Sequence, residues 1–288
     1  MKIRSMCDSD LPAADRLLQA AFARPSSFVA HARLTIQLQP DGVLVAEDQG
    51  KLLGTVGAVD YGRLAYIGLM AVDPARQSAG IGRALMDHLL AWLDERGCTM
   101  ALLDATDRGA LLYEKLGFVE DATAFVYELL GEVRPRIARA AKFESSPATV
   151  QLATVDDLPD VIALDAVHFG ADRAKLHHAL WPEFQTRWFV ARDASGRLVG
   201  YLVDRDPVIG PWVATSPAVA QQLLSAALAL ERTRPPLVMV PRSNLLAVDL
   251  LVAHGFVEQR RLRHMRRGGE GPPGNAAALF GQSSFAHG

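Results

Sequence analysis

The chain repeats itself, and that repetition limits its fold more than any single motif does. Asp10-Leu11-Pro12 with Phe22 returns as Asp157-Leu158-Pro159 with Phe169 at a constant offset. The run Val45-Ala46-Glu47-Asp48-Gln49-Gly50-Lys51-Leu52-Leu53-Gly54 returns as Val190-Ala191-Arg192-Asp193-Ala194-Ser195-Gly196-Arg197-Leu198-Val199-Gly200. In both places two apolar runs flank a short polar turn, which predicts a hairpin. Ile67-Gly68 answers to Ile209-Gly210, and Leu116-Gly117-Phe118-Val119 to His254-Gly255-Phe256-Val257. The offset shrinks along the chain, as loop deletions in the second copy would make it. Two copies of one order of elements predict two domains of one architecture.

Between the copies, residues 133–147 hold Pro135, Ser145, Ser146, Pro147 and several basic side chains without an apolar period, which reads as a connector. The expected organisation is a first domain over residues 1–132, a linker over 133–147 and a second domain over 148–288. A chain of 288 residues, half of them hydrophobic, suits two cores of ordinary size. Each half reads strand, helices, three strands, helix, strand, helix, then one or more strands. That order predicts an α/β (α+β) fold, a mixed and largely antiparallel sheet flanked by helices. The stretch from Arg83 to Arg96 shows why: Leu85, Met86, Leu89, Leu90, Trp92 and Leu93 recur at helical spacing, and Gly97 ends the run.

The formal net charge is −2, from 30 basic and 32 acidic residues, so nothing global favours capture by nucleic acid or an anionic membrane. Small molecules are the expected partners. Cys7 and Cys98 are too few for a disulfide framework and lack the neighbours a zinc site needs, so no metal is expected. The N-terminal run turns polar at Asp8 before a signal-peptide core develops, and no later run approaches a membrane-spanning length. A cytoplasmic protein is the expectation.

The clearest chemical signal is Gln77-Ser78-Ala79-Gly80-Ile81-Gly82, entered from an apolar strand through Asp73-Pro74 and leaving into Arg83-Ala84-Leu85-Met86. Glycines at 80 and 82 let the backbone curl so that N–H groups converge, and the following helix adds unpaired N–H groups and its positive dipole end. The concavity suits a pyrophosphate. Glycines before a helix are also ordinary turn chemistry; a strand before, a helix after and Tyr113 downstream favour the anion site.

Taken together, Gln-x-x-Gly-x-Gly at 77–82, the strand end Val72-Asp73-Pro74 and Leu112-Tyr113-Glu114-Lys115-Leu116-Gly117-Phe118 resemble the GCN5-related N-acetyltransferases, the GNAT superfamily. The resemblance covers the first half, and the second half looks like a degenerate copy. It implies acetyl-coenzyme A as co-substrate, with the loop from Gln77 to Gly82 at the pyrophosphate and the strand edge Leu69, Met70, Ala71 and Val72 along the pantetheine. Ser78 and Arg83 would add hydrogen bonds or charge. It further implies direct attack by a primary amine and a hydrogen bond from Tyr113 to the departing sulfur. The family often has asparagine seven residues before the tyrosine; Thr106 stands there, with a shorter reach toward the cofactor.

Other residues carry two readings each. Tyr113 serves the leaving group or packs beside Leu112 and Leu116. Asp104, at the end of an apolar run, is a base or water-holding carboxylate, or else a strand-end cap. In the second copy the stretch Pro211 to Ala220 holds no glycine loop, and Leu251 stands at the place of Tyr113, so fold without catalysis is expected there. Asp165, His168, Asp172 and Arg173 are candidates to face a substrate amine, or a solvated helix face. His177-His178 reads as surface. Arg260, Arg261, Arg263, His264, Arg266 and Arg267 alternate with Leu262 and Met265, which favours a strand with one wet face over an anion-binding patch. A final strand is expected between Ala278 and Phe285. The functional expectation is acetylation of a small primary amine by a monomer or homodimer; the alternatives are a non-catalytic acyl-coenzyme A-binding regulatory module and a peptide acetyltransferase.

Overall fold

The computed structural model describes residues 1–130, 148–241, 244–271 and 273–288, so the connector expected at 133–147 lies outside the described residues. The chain forms two compact units. The first takes Met1–Val119, Met265–Glu270 and Phe285–His287; the second takes Glu120–His264 and Gly271–Ser284, with Gly288. A boundary in space therefore does not follow a boundary in sequence. Met265 is buried in the core of the first unit, while Phe125 and Tyr127 are buried in that of the second.

The first unit runs β1 (Lys2–Ser5), α1 (Leu11–Phe22), α2 (Val29–Leu38), β2 (Val43–Asp48), β3 (Lys51–Asp60), β4 (Leu64–Val72), α3 (Ile81–Glu95), β5 (Met100–Ala105) and α4 (Asp107–Glu114). Strands β1 to β4 pair antiparallel in order, and β5 adds in parallel to β4. The buried face of α3, Ile81, Leu85, Met86, Leu89, Leu90 and Leu93, packs with Val56, Ala65 and Ile67 on one side of the sheet. Helix α1, through Leu11, Ala14, Leu17 and Leu18, covers the other side over Val43, Val45, Leu69 and Ala71. Burying each of the Leu, Ile, Val and Met side chains among them contributes about 1.5–3 kcal/mol, which is why the helical and strand periods hold both layers in place.

The second unit runs β6 (Val119–Glu128, from Glu120), β7 (Thr149–Leu152), α5 (Leu158–Phe169), α6 (Ala174–Phe184), β8 (Trp188–Arg192), β9 (Leu198–Arg205), β10 (Val208–Ala214), α7 (Pro217–Leu228), β11 (Leu237–Val240), α8 (Leu245–Ala253), β12 (Val257–Gly268, to His264) and β13 (Leu279–Gly281). Strands β7 to β10 pair antiparallel in order; β11 is parallel to β10 and antiparallel to β6. Its core centres on Trp212, Phe280, Leu223, Leu224 and Leu250.

The repeated Asp-Leu-Pro has one structural cause in both units. Asp10 and Asp157 stand just before helices of equal extent, each accepting a backbone N–H, from Cys7 at 2.9 Å and from Thr154 at 2.8 Å. Each also binds an arginine at 2.6 Å, Arg4 in the first unit and Arg192 in the second. The basic cluster forms the strand β12 as expected, but not with one wet face, since Leu262 and His264 are buried on one side and Met265 on the other; β13 is the final strand, short and placed at Leu279–Gly281. No helix among the described residues is long and apolar enough to cross a membrane.

Candidate active site

In the first unit the sheet opens beside its glycine loop. The ladder between β4 and β5 runs from Leu64 opposite Met100 to Tyr66 opposite Leu102 and stops, although β4 continues to Val72 and β5 to Ala105. Opposite Val56 of β3, β4 carries both Leu69 and Met70, a bulge in which Leu69 adopts φ +51°. A bulge turns the strand and re-aims its backbone groups. The residues from Leu69 to Val72 thus present an edge with no ladder partner among the described residues, and it leads through Asp73-Pro74 into the loop.

The loop ends at the start of α3, where Gly80 occupies the N-cap position at φ +81° and contributes no capping side chain. The first helical bond recorded runs from Ala84 N–H to the Gly80 carbonyl at 3.0 Å, so the N–H groups before it are left for another acceptor. Ser78, at φ +65°, is exposed, as is Ala79. Gly82 lets the first turn of α3 approach its neighbours: a Cβ there would stand 3.0 Å from Met70 Cε and 3.4 Å from Leu112 Cδ2. Gln77 reaches back with Nε2 to the Val72 carbonyl at 3.4 Å, and Arg83 binds Asp87 along the exposed face of α3 at 3.0 Å.

Tyr113, on α4, is 7 % exposed and packs its ring on Phe118 at 5.8 Å between centroids. Burial pushes its hydroxyl above the ordinary phenol range, so it keeps its proton throughout neutral pH. That hydroxyl has no hydrogen-bond partner among the described residues. Asp104, half-buried on β5, accepts from the Tyr66 hydroxyl of β4 at 2.5 Å, a bond that spans the two strands where they part. Tyr66 went unnoticed in the sequence because it sits in an apolar run with no motif around it. Thr106 caps α4, accepting from Gly109 N–H at 3.2 Å.

The second unit handles the same place differently. Strand β10 meets β11 only at Val208 opposite Leu237 before the two diverge. Into that opening comes β13, antiparallel to β10 with Trp212 opposite Gly281 and Val213 opposite Leu279, while Gln282 N–H bonds the Met239 carbonyl at 2.8 Å. Asn244, the residue matching Thr106, caps α8 through Ala247 N–H at 3.2 Å and donates to the carbonyls of Leu279 at 2.8 Å and Ala277 at 3.2 Å. Helix α7 begins at Pro217 and is capped by Ser216 through Val219 N–H.

Asp165 and Arg173, expected to face an amine, instead meet each other inside the second unit. The pair is bidentate at 2.6 and 2.9 Å, and Tyr201 also donates to Asp165 at 2.6 Å. Burial alone would raise the Asp165 carboxyl; Arg173 and His177 beside it hold it well below the usual carboxylate range. His177, read from sequence as surface, is fully buried with Nε2 3.0 Å from Asp165, because α6 turns that side inward; His178 is exposed as expected. His168 is half-buried on α5 with its pKa lowered, burial outweighing the nearby Asp165 charge. Asp172 is exposed and accepts the Ala174 N–H at 2.7 Å at the start of α6. Among the described residues no three His, Cys, Asp or Glu gather as a metal site.

Residues 39–120 and 161–281 each match an acetyltransferase (GNAT) domain family. The chain is 30% identical over 213 residues to the uncharacterized N-acetyltransferase YitH of Bacillus subtilis, covering 72% of this chain and 71% of that protein. It is 37% identical over 127 residues to the ribosomal protein bS18-alanine N-acetyltransferase of Escherichia coli, covering 41% of this chain and 80% of that one. A crystal structure from Pyrococcus horikoshii, assigned to the acetyltransferases, superposes with a TM-score of 0.82 at 25% identity, over 100% of this chain and 95% of that one. The chain is a member of the GNAT acetyltransferases, with two GNAT domains in tandem.

Proposed function

We propose that the first unit is the catalytic one and transfers an acetyl group from acetyl-coenzyme A to the primary amine of a small molecule by direct attack. The observation that carries this reading is the edge of β4 beyond Tyr66, without a ladder partner among the described residues and continuous with a helix N-terminus that none of their side chains caps. Leu69 to Val72 would pair with the pantetheine amides. The N–H groups from Gln77 to Arg83 would hold the pyrophosphate, with Ser78 and Arg83 at its rim. Bound acetyl-coenzyme A supplies the activated acetyl group.

The chain's own residues then have separable roles. An alkyl ammonium near its reference pKa of about 10 must lose a proton to attack, and Asp104, held by Tyr66, accepts it directly or through one water. Tyr113 steadies the departing sulfur. Even at reference values a phenol near 10 gives its proton to a thiolate near 8.5 at a cost of about 2 kcal/mol, and burial of Tyr113 widens that gap. Its role is therefore a hydrogen bond to the thiolate, which later takes a proton from solvent. A second reading, acetylation of a polypeptide N-terminus, is favoured by the likeness to the bS18-alanine enzyme.

Calorimetric titration with coenzyme A and a thiol-release assay over a panel of amines test the proposal together. One molecule bound per chain, with kcat about 10–100-fold lower in Tyr113→Phe at unchanged coenzyme A affinity, is the expected result. An unchanged rate in that variant removes Tyr113 from the mechanism.

A further inference from the structure

Residues Phe285–His287 belong to the first unit and lie on the face of its sheet opposite α3. Ala286 is buried in the core that Leu69 and Ala71 of β4 share with Leu11, Leu18 and Ala32. His287 is buried too: its Nε2 stands 2.9 Å from Thr35 Oγ1 of α2, its ring stacks on His31 at 4.9 Å, and its carbonyl accepts from the Tyr61 hydroxyl at 3.0 Å. Within the segment only Phe285 keeps part of its surface exposed.

Gly68 admits this segment. A Cβ at Gly68 would overlap Ala286 Cα and Cβ and stand 2.7 Å from the Phe285 carbonyl oxygen. Gly68 and Tyr66 lie on one face of β4, about 7 Å apart along the strand, because side chains alternate. Tyr66 is the residue that brings its hydroxyl to Asp104. The segment therefore stands beside the Tyr66–Asp104 pair, on the side away from α3.

We propose that Phe285–His287 is the acceptor-side wall of the first unit's transfer site, restricting acceptors to compact primary amines and excluding polypeptide N-termini. This rests on the transferase reading above and deepens it. Anchors from α2, β4 and the residue just after β3, with a glycine fitted to the backbone of the segment, make it a standing part of the site. Ala286 and the Phe285 carbonyl cover this surface of β4, so an extended polypeptide could not lie along it. Phe285 is the side chain an acceptor meets; His287, Thr35 and Gly68 are positioning residues that act through it.

The test uses the full chain, a hexapeptide with free N-terminal alanine, and compact amines comprising a polyamine, an aminosugar and an aromatic amine. Wild type is expected to favour at least one compact amine over the hexapeptide by about 100-fold in kcat/KM. Gly68→Ala, which displaces the segment, and His287→Ala, which removes its anchor, are expected to shrink that ratio about tenfold or more, with coenzyme A affinity within about twofold of wild type. If Gly68→Ala does not fold, Thr35→Val, close to isosteric and lacking the bond to His287, carries the test with a shift of about threefold in the same ratio. An unchanged ratio in variants that bind coenzyme A normally overturns the wall, as does a wild type that prefers the hexapeptide. A wild type that binds no coenzyme A overturns the transferase reading itself, before any acceptor is compared.

Discussion

The two units share an order of elements and part company at one strand edge. In the first, β4 and β5 separate beyond Tyr66, α3 starts at an uncapped Gly80, and α4 carries Tyr113, whose hydroxyl has no hydrogen-bond partner among the described residues. In the second, β10 and β11 separate in the same way, but β13 fills the opening, Ser216 caps α7, and Leu251 replaces the tyrosine. Exposed backbone groups at a diverging edge need partners. The second unit supplies them from its own chain, through β13 and the Asn244 amide; in the first no ladder partner stands there among the described residues. The same order of elements thus holds an open edge in one unit and a filled one in the other.

The comparison is broken most directly at the glycine loop. Gly80→Asp puts a side chain at a left-handed position and a negative charge where the pyrophosphate would sit, so coenzyme A affinity is expected to fall about 100-fold by calorimetry, or about 2.7 kcal/mol. If binding were undiminished, the first unit's loop would not be the cradle. Next in size is Asn244→Ala, which uncaps α8 and strips two carbonyls of β13 and its approach; a loss of about 2 kcal/mol in denaturant unfolding is expected, with coenzyme A binding intact. The matching Thr106→Ala removes a helix cap only, about 1 kcal/mol. Equal losses at the two positions would mean that the Asn244 amide adds nothing to the second unit's closure.

Asp104→Asn retains an acceptor for Tyr66 while deleting the charge, and kcat/KM at pH 7 is expected to drop about tenfold. A rate equal to wild type would leave proton removal to water alone. The smallest effect concerns acid stability. The bond from Arg4 holds the Asp10 carboxyl well below the usual carboxylate range, so its contribution is fully present above the unfolded value near 4, declines as pH falls below it and is lost only through the lowered folded value. Asp10→Asn is expected to cost about 1 kcal/mol at pH 7 and less near pH 2, where part of that contribution has gone, measured by unfolding at both. In the second unit burial would raise Asp157, but Arg192 and Thr154 lower it, and that acid response should persist in the variant.

Much of this was legible in advance because its causes are local. Asp-Leu-Pro set the start of α1 and α5, the apolar period of α3 named its buried face, and Gly80 marked a left-handed turn that L side chains adopt at a cost. The polar residues around α5 and α6 misled for the opposite reason. Charge reads as exposure until a partner is known, and Asp165, Arg173, His177 and Tyr201 are one another's partners from three different elements. What Asn244 holds, the carbonyls of Ala277 and Leu279, lies far along the chain, where its own surroundings give no sign of it.

By itself the sequence determined two copies of one α+β order, the hairpins, the glycine loop with its helix, and the difference between Tyr113 and Leu251, all of which rest on contacts between near neighbours or on side-chain chemistry. Only the tertiary structure decided that Leu279–Gly281 fills the second opening, that Tyr66 meets Asp104, and that Phe285–His287 reaches the first unit beside Gly68. Three strand residues carry no period to read, and which edge they join is chosen by the backbone groups and the space that the rest of the fold leaves unfilled.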